Sequence, residues 1–507
     1  MNTRVGAASE LAVIAIYLAS LVAIGLWAAR RQRTSDDFMA SGRRMPGWAV
    51  GLSIFGTYVS SISFLAIPSK AYASNWNAWV FSLSIPLTAW IAVRWFVPFY
   101  RATRSVSSYE HLEQRFGAWA RTYAVVCYLL TQLARSGTIM YLLALALAPL
   151  TGWSVSTLIV VTGAVVIVYA VVGGIEAVIW TDVLQSVVFI VGALACVAVL
   201  FFGVPGGPAH AIELAMTDRK FSFGDWSTSL GQSTVWVVLM YGIFINLQNF
   251  GIDQTYVQRY QTARSEDAAR RSVWLGALLY VPISAAFFLI GTGLFVYYAS
   301  RPGVLPPTVA ATPDTVFPYF IDTALSPALA GLVLASVFAA AQSTISSSIN
   351  SSATLLLCDV YVRYAQPRAT DGQRLTVLRV ATLVVGIGGT AAALAMMRIR
   401  SALDVWWQLA GIFSGGMLGL FLLGRLSRRA RGQDAALGVA AGVLIILWMT
   451  LSPSWTGSWA SLRSPFHSNL FIVFGTTAVL AVGAISAWWR SAVTDSAARR
   501  PDAVRDP

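Results

Sequence analysis

Stretches of roughly 20 apolar residues recur along almost the whole chain, each long enough to cross about 30 Å of hydrocarbon. Charged residues make up 11% of the chain, against about 25% in an ordinary soluble protein. The reading is an all-α membrane protein, with one polytopic domain over residues 1–490 and a short cytoplasmic tail over 491–507. Thirteen transmembrane helices are predicted, near 10–29, 47–68, 77–98, 121–150, 154–172, 178–203, 231–252, 273–298, 326–357, 379–397, 404–424, 435–452 and 467–489. The first is long and lacks the small-residue cleavage site of a signal peptide, so it stays a helix. No stretch between the spans is long enough for a soluble catalytic domain. His111, His210 and His467 fall in loops or at span ends, and no catalytic triad, phosphate-binding loop or metal motif is visible. The chain is therefore not read as an enzyme. Cys127, Cys196 and Cys358 are far apart and read as core filler rather than a disulfide or zinc framework.

The net charge of +13 could suggest nucleic acid, but its distribution argues for a bilayer. With the N-terminus outside, 26 of the 35 basic residues fall in segments predicted to be cytoplasmic, Arg259 among them, and eight fall outside. That asymmetry is the positive-inside rule and implies an N-out, C-in orientation. Arg398 and Arg400 are its main exceptions, and Arg135 is left within a span. Neither nucleic acid nor an obligate protein partner is implied.

Polar residues at bilayer depth are costly and mark pathways or packing. In the second span Gly56, Thr57, Ser60, Ser61 and Ser63 interrupt the apolar run, and Pro68 closes it. Such a centre either packs helices closely through small residues or frees carbonyls for a cation facing a cavity. Arg135 lies near the middle of the fourth span and needs an anion, either a protein carboxylate or a substrate. Its planar fork suits a carboxylate. Asp182 opens the sixth span, where it suits a helix cap or a hard oxygen for a cation. The ninth span holds six hydroxyls between Ser343 and Ser351. Ser343, Ser346, Ser347, Asn350 and Ser351 share one face, with Thr344 and Ser348 flanking it. Hydroxyls, carbonyls and one carboxylate suit sodium, and no acidic cage for calcium or magnesium is visible. The seventh span also turns polar, at Asn246, Gln248 and Asn249. Two interrupted helices five spans apart point to an inverted-repeat secondary transporter, with repeats over 47–203 and 231–424.

Three long segments, GGIEAVIWTDVLQ (Gly173–Gln185), DQTYVQRYQTARSEDAARRS (Asp253–Ser272) and AAAQSTISSSINSSAT (Ala339–Thr354), resemble the sodium:solute symporter family, and the match runs over roughly residues 8–450. TYVSSISFLAIPSKAYASNW (Thr57–Trp76), Arg135 and FAAAQSTISSSINS (Phe338–Ser351) look most like its bacterial sodium/sialic acid branch. The resemblance implies a leucine-transporter-like 5+5 inverted-repeat fold, preceded by one helix and followed by two, in the bacterial inner membrane. It implies a first sodium site on the carbonyls of Gly56, Val59 and Ala340 and the hydroxyls of Ser343 and Thr344. It implies a second on Asp182, Ser343, Ser346 and Ser347, hence two co-transported sodium ions. The solute carboxylate would meet Arg135, Ser60 and Ser63 would offer hydroxyls, and Phe244 would cover the site. Tyr58, Ser82 and Ala78 also fall at the expected solute site, but they stand where the branch is expected to carry Thr, Gln and a bulky aromatic. The implied activity is sodium-coupled import of a small acidic solute, sialic acid (N-acetylneuraminate), by alternating access. Another sugar or a monocarboxylate is the alternative solute. A non-transporting membrane solute sensor is the competing class, and no kinase or receiver domain follows the last span.

Overall fold

In hydrocarbon no water can serve an open N–H or C=O, so a crossing segment must close its hydrogen bonds on itself. A computed structural model describes residues 8–103, 105–398 and 416–498, and the regular structure among them is helical apart from one isolated bridge between Met45 and Ala263. The main helices are α1 (Ala8–Ala29), α2 (Gly47–Tyr58), α3 (Ser61–Ala73), α4 (Asn77–Thr103), α5 (Ala118–Thr151) and α6 (Val155–Gly203). They continue as α7 (Val235–Ile252), α8 (Gln254–Thr262), α9 (Glu266–Ala299), α10 (Pro313–Ala324) and α11 (Pro327–Leu355). The last are α12 (Asp371–Met396), α13 (Gly416–Leu426), α14 (Gly432–Leu451) and α15 (Phe471–Ala498). Among the described residues ten helices are long and apolar enough to cross a membrane, eleven if the bent pair α2–α3 counts as one span. Of the span predicted at 404–424, residues 404–415 lie outside the described residues and α13 covers the rest. Arg400 and residues 499–507 of the predicted tail also lie outside them, while α15 continues into that tail as far as Ala498.

Three breaks shape the bundle. Helix α6 has 49 residues, about 74 Å at 1.5 Å per residue, more than twice the hydrocarbon thickness. It is not one straight rod, because Gly174 adopts φ 55°, ψ −152°. Only glycine takes that conformation readily, and a Cβ there would also lie 2.8 Å from the Phe38 carbonyl oxygen. The second break separates α2 from α3 by a 55° bend. Here the structure refines the sequence reading: the helix runs through Gly56 and Thr57 and opens at Val59 and Ser60, both extended. The third break falls at Asp253 (φ −70°, ψ 123°), between α7 and α8. Asp253 accepts a 2.8 Å hydrogen bond from the Thr255 N–H and so starts the next helix.

One sequence expectation changes at this level. Arg259 is not in a cytoplasmic connector. It belongs to α8, a helix in which every residue is buried. The hydroxyls of α11 lie wholly inside the bundle, since every residue from Val333 to Leu355 is buried. Each hydroxyl therefore needs a partner inside the bundle.

Small residues let the helices around this core approach closely. A Cβ on Gly291 of α9 would lie 2.2 Å from the Pro68 carbonyl oxygen of α3. Because backbone cannot swing aside, Gly291→Ala is expected to cost about 1–3 kcal/mol, read as a lower unfolding temperature of the purified protein in detergent. Gly372, with nothing within 4 Å of its Cβ position, is the control. Gly372→Ala should leave stability unchanged or slightly raised through helix propensity.

Candidate ion and solute site

The opening at Val59 and Ser60 faces the middle of α11. The Thr344 hydroxyl donates to the Val59 carbonyl at 3.1 Å and to the Ala340 carbonyl at 3.3 Å, and reaches the Thr57 carbonyl at 3.5 Å. A Cβ on Gly56 would lie 2.8 Å from the Ser186 hydroxyl and 3.2 Å from that of Ser343. Gly56, Val59, Ala340, Ser343 and Thr344 therefore meet at one crossing of the broken and the unbroken helix. What gathers there is backbone carbonyls and two hydroxyls, all neutral and hard. Such a set can ligate a small monovalent cation and still release it.

Beside this crossing lies a fully buried charge pair. Asp182 has no solvent exposure. Its Oδ1 accepts from the Ser343 hydroxyl at 2.6 Å, and its Oδ2 accepts from Arg259 Nη2 at 2.9 Å and from the Ser53 hydroxyl. Arg259 is 1% exposed. Its Nε donates to Ser53 at 2.7 Å, Nη1 to the Thr255 carbonyl at 2.7 Å, and Nη2 also to the Ser347 hydroxyl at 2.6 Å. The Ser346 hydroxyl donates to the Ser343 carbonyl at 3.1 Å. Asp182, Ser343, Ser346 and Ser347 are thus gathered as a group, with Thr57 reaching Ser347 at 2.9 Å. The helix-cap reading of Asp182 fails, because the residue lies two turns beyond Gly174 within α6 and bonds to other helices. Sequence reasoning missed Arg259. Positive-inside counting absorbed it as a loop charge, yet it sits among polar and aromatic residues with no acidic neighbour inside α8, a sign that its partner lies elsewhere in the fold.

Helix α5 supplies the third wall. Tyr128 shares 2.7 Å hydrogen bonds with Thr255 and Ser351, Gln132 accepts from Ser348 at 2.7 Å, and the Ile139 carbonyl accepts from Ser61 at 3.5 Å. Positions 128, 132, 135 and 139 fall on one helical face. Arg135 therefore sits between the contacts to α11 and the contact to the start of α3. It is half-buried and makes no ion pair among the described residues. Asp253, whose carboxylate is in Coulombic range of it, is engaged in capping α8.

The remaining predicted residues divide. The Ser60 N–H bonds to the Ser63 hydroxyl at 3.4 Å, so both residues form the cap of α3. Tyr58 accepts from Asn249 at 3.3 Å and packs on Tyr280 with ring centroids 4.6 Å apart, joining the second and third breaks. Ser82 on α4 is buried, and Phe244 on α7 is half-buried. Their helices meet where Gly242 approaches Phe81 and Ser84 and where Asn246 donates to Ser84 at 2.8 Å. No hydrogen bond ties Ser82 to Arg135 or to the cap of α3. Ala78 packs with the cluster around Trp76 and Phe288.

A broken helix crossing a buried, hydroxyl-rich one, with freed carbonyls and a neutralised carboxylate at the crossing, is the apparatus of an ion-coupled secondary transporter. The chain belongs to the sodium:solute symporter family, whose profile matches residues 38–442. It is 35% identical over 480 residues to the sodium/sialic acid symporter of Aliivibrio fischeri, covering 93% of this chain and 91% of that one. It is 34% identical over 479 residues to the sodium/sialic acid symporter of Proteus mirabilis, covering 94% of each. Among solved structures, the substrate-bound outward-open state of a Na+-coupled sialic acid symporter superposes with a TM-score of 0.88 at 33% identity, over 95% of this chain and 98% of that one. A nucleobase-cation-symport-1 family transporter in a closed conformation shares the fold alone, with a TM-score of 0.54 at 18% identity over 89% and 94% of the two chains.

Proposed function

We propose that the chain imports sialic acid (N-acetylneuraminate) together with sodium across the bacterial inner membrane by alternating access. Alternating access here means that the breaks at Val59–Ser60 and at Asp253 rock against α11. The observation that carries this reading is the Thr344 hydroxyl of the unbroken helix, bonded to the Val59 carbonyl of the broken one. A cation ligated by Gly56, Val59, Ala340, Ser343 and Thr344 would bind both elements at once and so bias their relative position. A second sodium belongs at Asp182, Ser343, Ser346 and Ser347. The carboxylate is suited to this, because Arg259 and Ser53 hold Oδ2 while Oδ1 meets Ser343. Each sodium crossing about 100 mV releases roughly 2.3 kcal/mol, and two ions double the drive on the solute.

For the solute, Arg135 takes the carboxylate, with Ser60, Ser63, Tyr58, Ser82 and Phe244 around it. Support for sialic acid comes from the two bacterial relatives, which cover over nine-tenths of this chain. Tyr58, Ala78 and Ser82 favour testing other acidic sugars and monocarboxylates beside it. The full architecture of this reading is 13 spans, N-out and C-in, with five-helix repeats over 47–203 and 231–424. It follows if α6 crosses twice about Gly174, α2–α3 crosses once, and α13 ends a span begun before residue 416. Radiolabelled uptake into liposomes should require an inward sodium gradient and be silent with potassium. Ser343→Ala combined with Thr344→Ala should abolish the sodium stimulation. Unchanged sodium dependence in that double variant would refute the assignment of the first site.

A further inference from the structure

The end of α1 opposite the chain's start forms a second, separate pocket. A cavity of about 390 Å³ lies between α1, the helix Ser35–Ala40 with its following turn, the start of α2, and α6 just past Gly174. Arg30, Arg31, Arg33 and Arg44 line it, against Asp37 and Glu176 as the acidic groups. Arg31 pairs with the buried Glu176 at 3.2 Å, and Arg44 pairs with Asp37 at 2.9 Å. The side chains of Arg30 and Arg33 make no ion pair among the described residues. Four guanidiniums against two carboxylates leave two positive charges converging on one cavity.

Two further observations point to a ligand and to its kind. Trp180 also lines the cavity, and its indole N–H is buried with no acceptor. A buried donor left without a partner is costly, and a small turn of the Trp180 ring toward the cavity would let an oxyanion there serve as its acceptor. Trp180 packs edge-on against Trp27 and Trp48, at centroid distances of 6.1 and 5.6 Å. Trp27 and Trp48 are themselves 41% and 51% exposed, as tryptophans at the level of lipid headgroups are. Beside them the flank of α1 exposes Leu26 and Ile16. A soluble anion has no use for that apolar flank, whereas acyl chains do.

We propose that this pocket binds the phosphodiester headgroup of an anionic phospholipid, with Arg30, Arg33 and the Trp180 N–H as its donors. The acyl chains then lie along α1. Basic clusters at the end of a membrane helix are suited to such headgroups. Only the leaflet depends on the orientation proposed above. The binding does not depend on the transport reading. Because the pocket holds the start of α2 against α6, the lipid should stabilise the end of α2 opposite the break.

The test uses the full chain in detergent, titrated with phosphatidylglycerol, with phosphatidylcholine of the same chains, and with glycerol 3-phosphate. Lipid retention is read by native mass spectrometry and stability by thermal shift. Phosphatidylglycerol should be retained and should raise the unfolding temperature, while the other two do neither. Arg30→Ala with Arg33→Ala should weaken this apparent affinity about thirtyfold. Trp180→Phe keeps an aromatic ring and the charge count, so membrane orientation is untouched, and should weaken it about fivefold. Equal retention of both lipids overturns the proposal. So does an equal shift with glycerol 3-phosphate, or undiminished affinity in Trp180→Phe and the double variant alike.

Discussion

Asp182→Ala is expected to abolish sodium-driven uptake and to destabilise the protein by about 3–5 kcal/mol, the cost of leaving a buried charge without its partner. Arg259 is the charge left behind, at 1% exposure. The two losses have different origins, and a second variant separates them. Replacing both members of a buried pair by apolar groups of similar volume is often neutral for stability. Asp182→Leu with Arg259→Met should therefore recover most of the unfolding temperature while uptake stays absent. Recovery of both would show the carboxylate to be purely structural. Asp182→Asn sharpens the point, since it keeps the shape but not the charge at Oδ1, where Ser343 now donates. Under the proposed two-ion coupling, the uptake this variant retains through its amide oxygen, a ligand that Ala and Leu lack, should run at one sodium per solute rather than two. A ratio that stays at two would remove Asp182 from the second sodium site.

The same residue shows what could and could not be read from the sequence. A polar side chain in a membrane span needs a partner or a pathway, and a run of glycines and hydroxyls marks close packing or an opened backbone. The polar runs at Gly56–Ser63 and Ser343–Ser351 were therefore legible as special, and the structure sets them against each other. The partners of Asp182 were not legible, because they are non-local. Ser343 lies 161 residues away and Arg259 lies 77. Local sequence at Asp182 resembles a helix start, so a cap competed with a ligand until the fold put Asp182 inside α6. Arg259 was hidden for another reason. Helix α8 is polar, buried only because other helices enclose it, and hydropathy reports a segment's own composition rather than its surroundings. The break at Asp253 was legible only as a run of polar residues before it. The identity of sodium came from the family resemblance, since neutral oxygens and one carboxylate define a small cation without naming it.

Arg135→Ala is expected to weaken binding of a carboxylated solute by about 30- to 1,000-fold, or about 2–4 kcal/mol, with little change in unfolding temperature. The contrast with Asp182 follows from geometry. Arg135 is half-buried and holds no carboxylate of the protein, so its removal strands no partner charge. Arg135→Lys keeps the charge but loses the planar fork, and should recover only part of the affinity. The decisive measurement pairs the mutation with the solute. Affinity for a carboxylated solute and for its decarboxylated analogue is measured in the native protein and in Arg135→Ala. If guanidinium and carboxylate meet, losing either one removes the same interaction, so losing both costs much less than the sum. Equal loss for the two solutes would place the carboxylate elsewhere. Arg135 would then act through Asp253, the acidic group in its Coulombic range, and its effect would pass through the cap that Asp253 provides to α8. The unfolding temperature distinguishes the two cases, because only the second should lower it.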